Sequence, residues 1–462
     1  MANAVSLGFR PITCFKAYDV RGRLGEELDA DIAYRIGRAF AQARGARRVV
    51  LGRDSRASSP ELAAAVARGL VDGGAEVLDL GLCGTEEVYF ATADQGADGG
   101  IEVTASHNPI DYNGMKMVIT GSAPLDPETE MPTIADLAQS GNFAAAEDGA
   151  IRPLPDARAT YASALVDFID IAALRPMRVL VNAGNGTAGP TFDAIAEELA
   201  RRGAPLTFIR QHHEVDSSFP NGIPNPILPE NQPATADALR AAGADLGVAW
   251  DGDFDRCFFF DAEGRFIPGE YIVGLLGAAF LEKSPGEIIV HDPRVILNTR
   301  AMIEEAGGRA VASRTGHAFL KRKMRETGAI YGGEMSAHHY FRDFAYCDSG
   351  MIPWLLVVEL LSRKRTTLAA LLSERMRAYP SSGERNFRLA DPDASIARVV
   401  AGFEGAALAR DDLDGISLDF GGWRFNLRRS NTEPVVRLNV ESRGDAGLVA
   451  EKVAEIAALL QG

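Results

Sequence analysis

The sequence predicts an α/β protein made of several doubly wound units with mostly parallel sheets. Apolar, strand-like runs alternate with helix-like segments as far as Tyr379, and this alternation is typical of βαβ units. After Tyr379 the strand-like runs are shorter and follow one another, which indicates a small α+β domain. The 462 residues leave room for roughly three domains of ~150 residues each.

In the N-terminal part, strands are predicted at 48–52, 76–80 and 99–103. Ser59 as N-cap and Pro60 at the first helical position predict a helix between the first two strands. The segment 144–155, rich in proline and alanine, is predicted to be a linker.

The middle of the chain repeats this pattern. Strands are predicted at 179–181, 246–250, 288–290 and 329–331, and a helix is predicted to begin at Pro190. The proline-rich segment 219–233 predicts a long loop. In the last part, strands are expected at 415–420, 423–427 and 435–440, before a helix at 446–460.

Composition narrows the class of protein. An apolar share of 46% and a charged share of 24% are those of an ordinary globular protein. The formal net charge of −15 argues against a nucleic-acid partner, because a phosphate backbone requires a basic face. Local arginine clusters could still bind a small anion.

The four cysteines are far apart in the sequence and form no CxxC pair, so we expect buried, reduced thiols rather than a zinc site or disulfides. Residues 1–11 lack the pattern of a signal peptide, and the longest apolar stretch, 272–281, is too short to cross a bilayer. We therefore expect a cytoplasmic protein without a membrane partner.

The most informative motif is the run 104–109 (TASHNP), which follows the predicted strand 99–103. A serine at the end of such a strand, Ser106, is well placed for covalent chemistry. His107 lies beside it, and an Asn-Pro turn follows.

A second motif, 251–256 (DGDFDR), follows the apolar strand that ends at Trp250. Asp251, Asp253 and Asp255 would share one face if the chain were extended, and Gly252 would let the backbone bend around one ion. Carboxylate-only ligation suits Mg²⁺. Such a cation and Arg256 could both face a bound phosphate. The alternative is a solvated acidic turn.

Two further loops carry polar groups. The run 333–339 (GEMSAHH) offers Glu334, Ser336 and His338, which can bind vicinal sugar hydroxyls; a polar loop without a ligand is the alternative. The run 428–434 (RRSNTEP) predicts a donor-rich turn suited to a phosphate dianion; an ordinary hairpin turn is the alternative. Its candidate binding residues are Arg428, Ser430, Asn431 and Thr432.

Individual candidates are weaker. Considered alone, each of these residues is more often structural than functional. They are Lys116, His317, and Tyr18 and Arg21 of the run 18–22 (YDVRG). The run 183–187 (AGNGT) resembles a phosphate loop only loosely and predicts a strand-to-helix turn without a site.

Taken together and in this order, the motifs TASHNP, DGDFDR, GEMSAHH and RRSNTEP resemble those of the α-D-phosphohexomutase superfamily. The likeness runs from 15–22 (FKAYDVRG) to 435–438 (VVRL). It implies four domains around a central cleft: three doubly wound α/β domains and a C-terminal α+β domain. We expect these domains at 1–150, 151–262, 263–379 and 380–462.

The resemblance also implies residue roles. Ser106 would carry a phosphate, and Asp251, Asp253 and Asp255 would hold Mg²⁺ together with it. Lys116 and His317 match positions of proton transfer or substrate contact, while Arg21 and Arg256 match contacts at the phosphoserine. The loops with Glu334 and Arg428 match the sugar and phosphate sites.

Two departures from the family pattern stand out. Ala337 replaces the second glycine of the sugar loop, which predicts a restricted backbone there. Arg294 stands in a segment where other members place a lysine, and we expect it to take over phosphate binding.

Within the superfamily the chain resembles bacterial mutases for mannose phosphates that feed GDP-mannose synthesis. This implies interconversion of mannose 6-phosphate and mannose 1-phosphate through phospho-Ser106 and a sugar 1,6-bisphosphate. Phosphoglucomutase or dual activity is the nearest alternative. A glucosamine mutase is disfavoured by Met335, and an aspartate-nucleophile phosphatase is disfavoured by the late position of the acidic loop.

Cofactor and partner expectations follow from the resemblance. We expect Mg²⁺, and glucose 1,6-bisphosphate or mannose 1,6-bisphosphate as activator. The partners are expected to be small sugar phosphates, and the protein is expected to be a monomer or a homodimer.

Overall fold

The computed structural model, which describes residues 10–147, 149–429 and 435–462, contains four sheets, each formed by a consecutive part of the chain. The three N-terminal sheets combine parallel strands with antiparallel edge strands and have helices around them. The fourth is entirely antiparallel. This is the expected architecture of three α/β domains and a C-terminal α+β domain. The sheets are mixed, however, rather than mostly parallel.

The first sheet has the order β1-β5-β4-β2-β3-β7, with β6 paired to β5. Its strands are β1 (Val20–Arg23), β2 (Arg48–Arg53), β3 (Glu76–Leu82), β4 (Gly99–Val103), β5 (Tyr112–Ile119), β6 (Ala123–Pro124) and β7 (Ile151–Pro153). Its helices are α1 (Ala30–Arg44), α2 (Ser59–Asp72), α3 (Thr85–Asp94) and α4 (Glu130–Ser140).

Two expectations for this part are corrected. Ser58, not Ser59, precedes helix α2 as its N-cap, and the Ser59 hydroxyl donates to Asp54. The segment predicted to be a linker contains β7, which pairs in parallel with β3. A three-residue strand with proline at its end gives little local signal.

The second sheet has the order β12-β11-β10-β8-β9. Its strands are β8 (Met177–Asn182), β9 (Leu206–Gln211), β10 (Leu246–Trp250), β11 (Cys257–Phe260) and β12 (Phe266–Ile267). The helices of this part are α5 (Ala157–Val166), α6 (Ala188–Arg201) and α7 (Gln232–Ala242). Helix α6 begins two residues before Pro190. Strand β12 lies beyond residue 262, so the second sheet extends past the expected boundary; the boundaries themselves stay predictions.

The third sheet has the order β14-β13-β15-β16-β17. Its strands are β13 (Ile288–His291), β14 (Arg309–Ala312), β15 (Tyr331–Gly333), β16 (His339–Phe341) and β17 (Cys347–Asp348). Its helices are α8 (Gly269–Lys283), α9 (Leu297–Glu305), α10 (His317–Thr327), α11 (Met351–Lys364) and α12 (Leu368–Ala378). The strand predicted at 329–331 begins only at Tyr331.

The fourth sheet has the order β18-β22-β21-β20-β19. Its strands are β18 (Arg385–Arg388), β19 (Ala409–Asp411), β20 (Ile416–Asp419), β21 (Trp423–Arg429) and β22 (Val435–Ser442), and its helices are α13 (Pro392–Phe403) and α14 (Ala446–Gln461). Short 3₁₀ turns complete the described elements, at Thr120–Ser122, Ile171–Ala173, Pro229–Asn231, Arg342–Phe344 and Glu404–Ala406.

The cores explain how the domains are held together. The second and third domains share one hydrophobic core, in which the Trp354 ring of α11 lies 5.6 Å from the Phe192 ring of α6. Helix α11 is buried on nearly all sides, as expected for a central helix. The fourth domain has a separate core between its sheet and its two helices.

The four cysteines are buried and unpaired, as predicted. None of the helices in the described ranges combines the length and hydropathy needed to cross a bilayer.

Candidate active site

Ser106 lies in the loop between β4 and β5, where the first domain faces the second. Its hydroxyl donates to Asp251 Oδ2 at 2.7 Å and lies 3.0 Å from His107 Nδ1. The residue has a φ of +49°, an uncommon backbone conformation for a side chain other than glycine. Its amide donates to Thr104 Oγ1 at 2.9 Å. Hydrogen bonds of its hydroxyl and of its backbone amide therefore hold Ser106 in this strained conformation.

The sequence did not single out Arg56, which holds this loop in place. Its buried guanidinium donates to four carbonyl oxygens, those of Ser106, Asn108, Pro109 and Tyr112, at 2.6–3.1 Å. Asp54 accepts from the Arg56 amide and from the Thr104 hydroxyl. One buried arginine thus fixes the backbone of the serine loop, and no local sequence pattern indicates this role.

The acidic loop 251–255 follows β10 and is buried. The three aspartates are almost inaccessible to solvent. The loop is not extended, because Phe254 has a φ of +48° and turns the chain between the second and third carboxylates. Gly252 serves a different purpose from the predicted one: a Cβ atom there would lie 2.5 Å from the Ser106 carbonyl oxygen. Glycine allows the two loops to meet.

The turn 183–187 supports the acidic loop from behind. It connects β8 to α6, as predicted, and Asn185 has a φ of +59°. The Thr187 amide and hydroxyl both donate to the Gly252 carbonyl oxygen. This turn therefore helps to position the aspartates, and we assign it no binding site of its own.

Lys116 and Arg256 balance the charge of the aspartates. The Lys116 ammonium donates to Asp253 Oδ2 at 2.7 Å and also to Asp255. Arg256 donates twice to Asp251 Oδ2 and also contacts His107. Burial alone would lower the pKa of Lys116, but Asp253 and Asp255 outweigh it and raise that pKa. Lys116 is therefore a fixed cation.

The aspartates are compatible with a metal site. Ligand atoms of the three carboxylates all lie within 4.8 Å of one another. Asp253 Oδ1 is buried without a hydrogen-bond donor among the described residues, whereas Asp255 Oδ1 faces His338 Nε2 at 3.6 Å. Buried carboxylate oxygens without donors are unfavourable unless a cation meets them, and an all-oxygen set suits a hard divalent ion.

The loop after β15 brings Glu334, Ser336 and His338 together. Glu334 accepts from the Gly316 amide at 2.9 Å and from the Tyr340 hydroxyl at 2.7 Å. His338 Nδ1 lies 3.2 Å from Ser336 Oγ, and its Nε2 lies 3.6 Å from Asp255 Oδ1. Burial lowers the pKa of His338, but Asp255 and Glu334 outweigh it and raise the pKa to about 9. His338 is therefore a cation at neutral pH.

Ala337 adopts the conformation that its family position favours for glycine. Its φ is +71°, and its amide donates to the Glu334 carbonyl oxygen at 3.0 Å. An alanine in this left-handed region is strained by roughly 1–2 kcal/mol. The loop keeps its tight turn despite the substitution.

Tyr18 and His317 lie in contact, with ring centroids 4.9 Å apart in an edge arrangement. Neither ring nitrogen of His317 has a hydrogen-bond partner among the described residues, although both atoms are buried. Burial, and then Lys321 and Lys116, lower the pKa of His317 well below its usual value. Arg21 is held by Asp19 at 2.9 Å and approaches Asn108 of the serine loop.

Arg294 and Arg428 meet at the junction of the third and fourth domains. Glu384, which the sequence analysis did not single out, lies between them: its Oε2 atom is 3.0 Å from Arg428 Nη2 and 3.6 Å from Arg294 Nη1. Arg294 Nη2 also lies 3.3 Å from Ser336 Oγ. The predicted residues Ser430, Asn431 and Thr432 lie outside the described residues.

Many of the predicted residues that the structure describes are linked by contacts or lie on the same loop. The contacts lead from Ser106 to Asp251 and Arg256, and from Asp255 through His338 and Glu334 to Arg294. Each of the four domains contributes to this set. A nucleophilic hydroxyl beside three carboxylates, with several cations further along, can transfer and bind anionic groups.

Four sequence-family models match consecutive parts of the chain. They are described as phosphoglucomutase/phosphomannomutase alpha/beta/alpha domain I at residues 13–145, domain II at 159–264, domain III at 268–379 and the C-terminal domain at 384–459.

Individual proteins are similar over nearly their whole length. A Salmonella typhimurium protein named phosphomannomutase is 57% identical over 452 residues, covering 97% of this chain and 99% of that protein. A Xanthomonas campestris protein named phosphohexose mutases is 53% identical over 451 residues, covering 98% and 100%. The crystal structure of a phosphoglucomutase/phosphomannomutase family protein from Burkholderia thailandensis has a TM-score of 0.86 at 33% identity and covers 97% of both chains.

Proposed function

Because the chain belongs to the phosphoglucomutase/phosphomannomutase family of mutases, we propose that it is a phosphomannomutase that interconverts mannose 6-phosphate and mannose 1-phosphate. One observation carries the proposal: the Ser106 hydroxyl of the first domain donates to Asp251 of the second domain at 2.7 Å. A serine hydroxyl that donates to a carboxylate can act as a nucleophile, and Arg256, which pairs with the same carboxylate, can meet the charge of a phosphoryl group.

The reaction proceeds in two half-reactions. In the first, the Oγ–P bond of phospho-Ser106 breaks, a bond forms from phosphorus to the free sugar hydroxyl, and that hydroxyl loses its proton. The product is a hexose 1,6-bisphosphate. After the sugar turns by about half a turn, its other phosphoryl group returns to Ser106 Oγ, and the released hydroxyl regains a proton.

Charge stabilisation comes from fixed cations that are paired with the acidic loop. Arg256 is oriented by Asp251, and Lys116 by Asp253 and Asp255, so neither needs to reorganise as charge moves during transfer. A Mg²⁺ ion held by the three aspartates would further withdraw charge from the phosphoryl oxygens.

His317 is the group we assign to proton transfer. Its ring nitrogens have no hydrogen-bond partner among the described residues, so one of them is open to the proton of a sugar hydroxyl. Lys116 is held as a cation between two carboxylates and is better suited to electrostatic stabilisation.

The sugar must be bound in both orientations, before and after the half turn. We assign the binding of vicinal hydroxyls to Glu334 and Ser336, and the O3 and O4 hydroxyls are the natural pair because they exchange places when the sugar turns. Both are equatorial in mannose and in glucose, which differ at C2.

This tolerance at C2 favours a second candidate, a dual phosphomannomutase and phosphoglucomutase. The similarity to a Xanthomonas campestris protein named phosphohexose mutases supports it. In either case we propose glucose or mannose 1,6-bisphosphate as activator, a cytoplasmic location, and mannose 1-phosphate supply to GDP-mannose synthesis.

Phosphorus NMR tests the proposal directly. The protein is incubated with Mg²⁺, a trace of glucose 1,6-bisphosphate, and mannose 1-phosphate or glucose 1-phosphate in parallel. Formation of the 6-phosphate is expected, and the ratio of the two rates decides which sugar is preferred. Release of inorganic phosphate without any 6-phosphate would mean a phosphatase and would refute the proposal.

A further inference from the structure

Glu384 is a carboxylate at the centre of three arginines. Its Oε2 atom accepts from Arg428 Nη2 at 3.0 Å and lies 3.6 Å from Arg294 Nη1, and its Oε1 atom lies 3.6 Å from Arg437 Nη1. The Glu384 side chain is 21% exposed, whereas those of Arg294 and Arg428 are 5% and 10% exposed. The carboxylate thus occupies the position where several guanidinium groups converge.

The sheet itself creates a need for this anion. Arg428 on β21 and Arg437 on β22 are direct cross-strand partners in the antiparallel pair. Like charges directly opposite one another destabilise a sheet. Glu384, which immediately precedes β18 on the other side of β22, provides the compensating charge.

Arg294 brings the third domain to the same carboxylate. It is also paired with Asp292 at 2.9 Å. Burial raises the pKa of Glu384, but Arg294, Arg428 and Arg437 outweigh it and lower the pKa, so the carboxylate is ionised at neutral pH. An anion therefore lies among the cations that are available to a substrate phosphate.

We propose that Glu384 is a resident counter-ion that competes with the substrate phosphate for Arg294 and Arg428 and so speeds its release. This inference rests on the proposed function and deepens it. Without the negative charge of Glu384, the same arginines would bind a phosphate dianion more tightly.

The proposed reaction explains why weaker binding is useful. The bisphosphate must leave these arginines, turn and bind again with its other phosphate. Binding that stabilises substrate and intermediate equally does not raise kcat. Overly tight binding of the intermediate lowers kcat, because the intermediate must be released before it can turn. A carboxylate that returns to the arginines as the phosphate leaves would offset the loss of that contact.

The test is the substitution E384Q, which keeps the size and an acceptor oxygen but removes the charge. The probe is inorganic phosphate, titrated into the protein by calorimetry without turnover. We expect its Kd to fall about fivefold, the scale of one partly exposed ion pair. In the mutase assay, KM and kcat should both fall, because release becomes slower.

A matched control is E451Q, which removes the same charge from an exposed position of α14 in the same domain and should leave the phosphate Kd unchanged. E384D keeps the charge but withdraws it from the arginines. It should shift the Kd in the same direction by about twofold, and it serves as the test if E384Q does not fold.

Unchanged or weaker phosphate binding in these variants would overturn the inference, because Glu384 would then only orient the arginines. Tighter binding with an unchanged kcat would also overturn it. The outcome is separable from the proposed function: wild-type protein that converts neither sugar phosphate refutes the function, whereas active wild type with unaltered phosphate binding in E384Q refutes only this inference.

Discussion

Ser106 Oγ and Asp251 Oδ2 lie 2.7 Å apart, although the two residues are separated by 145 positions and belong to different domains. The contact joins the serine loop of the first domain to the acidic loop of the second. Because Gly252 passes against the Ser106 carbonyl oxygen, the two loops fit together without space for another side chain. The candidate nucleophile and the candidate metal ligands therefore form one unit.

Removing the nucleophile should abolish turnover without abolishing binding. In S106A we expect kcat to fall by more than about a thousandfold, since no group remains to carry the phosphoryl. Binding of mannose 1-phosphate, measured by calorimetry, should persist because the arginines are intact. The control is S140A at the exposed end of α4. A near-normal rate in S106A would show that another group carries the phosphate.

Arg56 should matter for the rate rather than for substrate affinity. R56K keeps the charge but cannot donate to four carbonyl oxygens at once. We expect kcat to fall about 10- to 100-fold as Ser106 shifts, with little change in KM. R53K, at the end of neighbouring β2, is the control. Equal kcat in R56K and wild type would mean that the loop keeps its geometry without all four hydrogen bonds to its carbonyl oxygens.

The acidic loop can be tested by metal titration. D253N removes the charge of a carboxylate whose buried Oδ1 atom has no hydrogen-bond donor among the described residues, and we expect the apparent affinity for Mg²⁺ to fall about tenfold or more. Calorimetry with Mg²⁺ measures this without substrate. The control is D237N, which makes the same charge change at an exposed aspartate of α7. Identical titration curves for D253N and D237N would exclude Asp253 as a ligand.

Ala337 offers a test of local strain. Glycine should remove the strain of the left-handed backbone at φ +71°, which stabilises the folded protein. The lost contacts of the methyl group and the larger entropy of the unfolded chain destabilise it by a similar amount. We expect A337G to change the free energy of unfolding by less than about 0.5 kcal/mol, whereas A241G near the end of helix α7 should lose about 1 kcal/mol. Chemical denaturation compares the two. A loss in A337G as large as that in A241G would contradict the prediction.

The sequence predicted the elements whose patterns are local. The buried strand 99–103 and the helix at the C-terminus were confirmed because apolar periodicity marks them directly. The antiparallel edge pairs, such as β15 with β16, were not predicted. Pairing direction depends on partners distant in the chain, which single-sequence patterns do not record.

The same distinction applies to the site. The motif residues could be chosen as candidates because each motif is contiguous and resembles a family pattern, and their roles stay predictions. Arg56 and Glu384 could not, because their roles come from carbonyl oxygens and guanidinium groups about 40 to 90 positions away in the sequence. The positive φ of Phe254 was also missed, since the expectation placed the bend at Gly252.

Glu270 provides a test of pH dependence away from the aspartate cluster. It is 2% exposed, and its Oε1 atom accepts from Ser381 Oγ at 2.6 Å. Burial raises its pKa to about 7, above the ordinary value of about 4.3 in an unfolded chain. Between these two values the folded protein binds the proton that the unfolded chain has released. The contribution of Glu270 to stability is therefore lost as pH rises through this window.

The substitution E270Q removes this titration, because glutamine keeps an acceptor for Ser381 and carries no charge. Relative to wild type, E270Q should gain stability as pH rises from about 4.5 to 7.5, by up to about 3 kcal/mol. Urea unfolding of both proteins across that range measures the difference. The matched control is E282Q, at an exposed position of the same helix, which removes the same charge from solvent. A difference between E270Q and wild type that stays constant with pH would contradict the prediction, because Glu270 would then be ionised in the folded protein throughout the range.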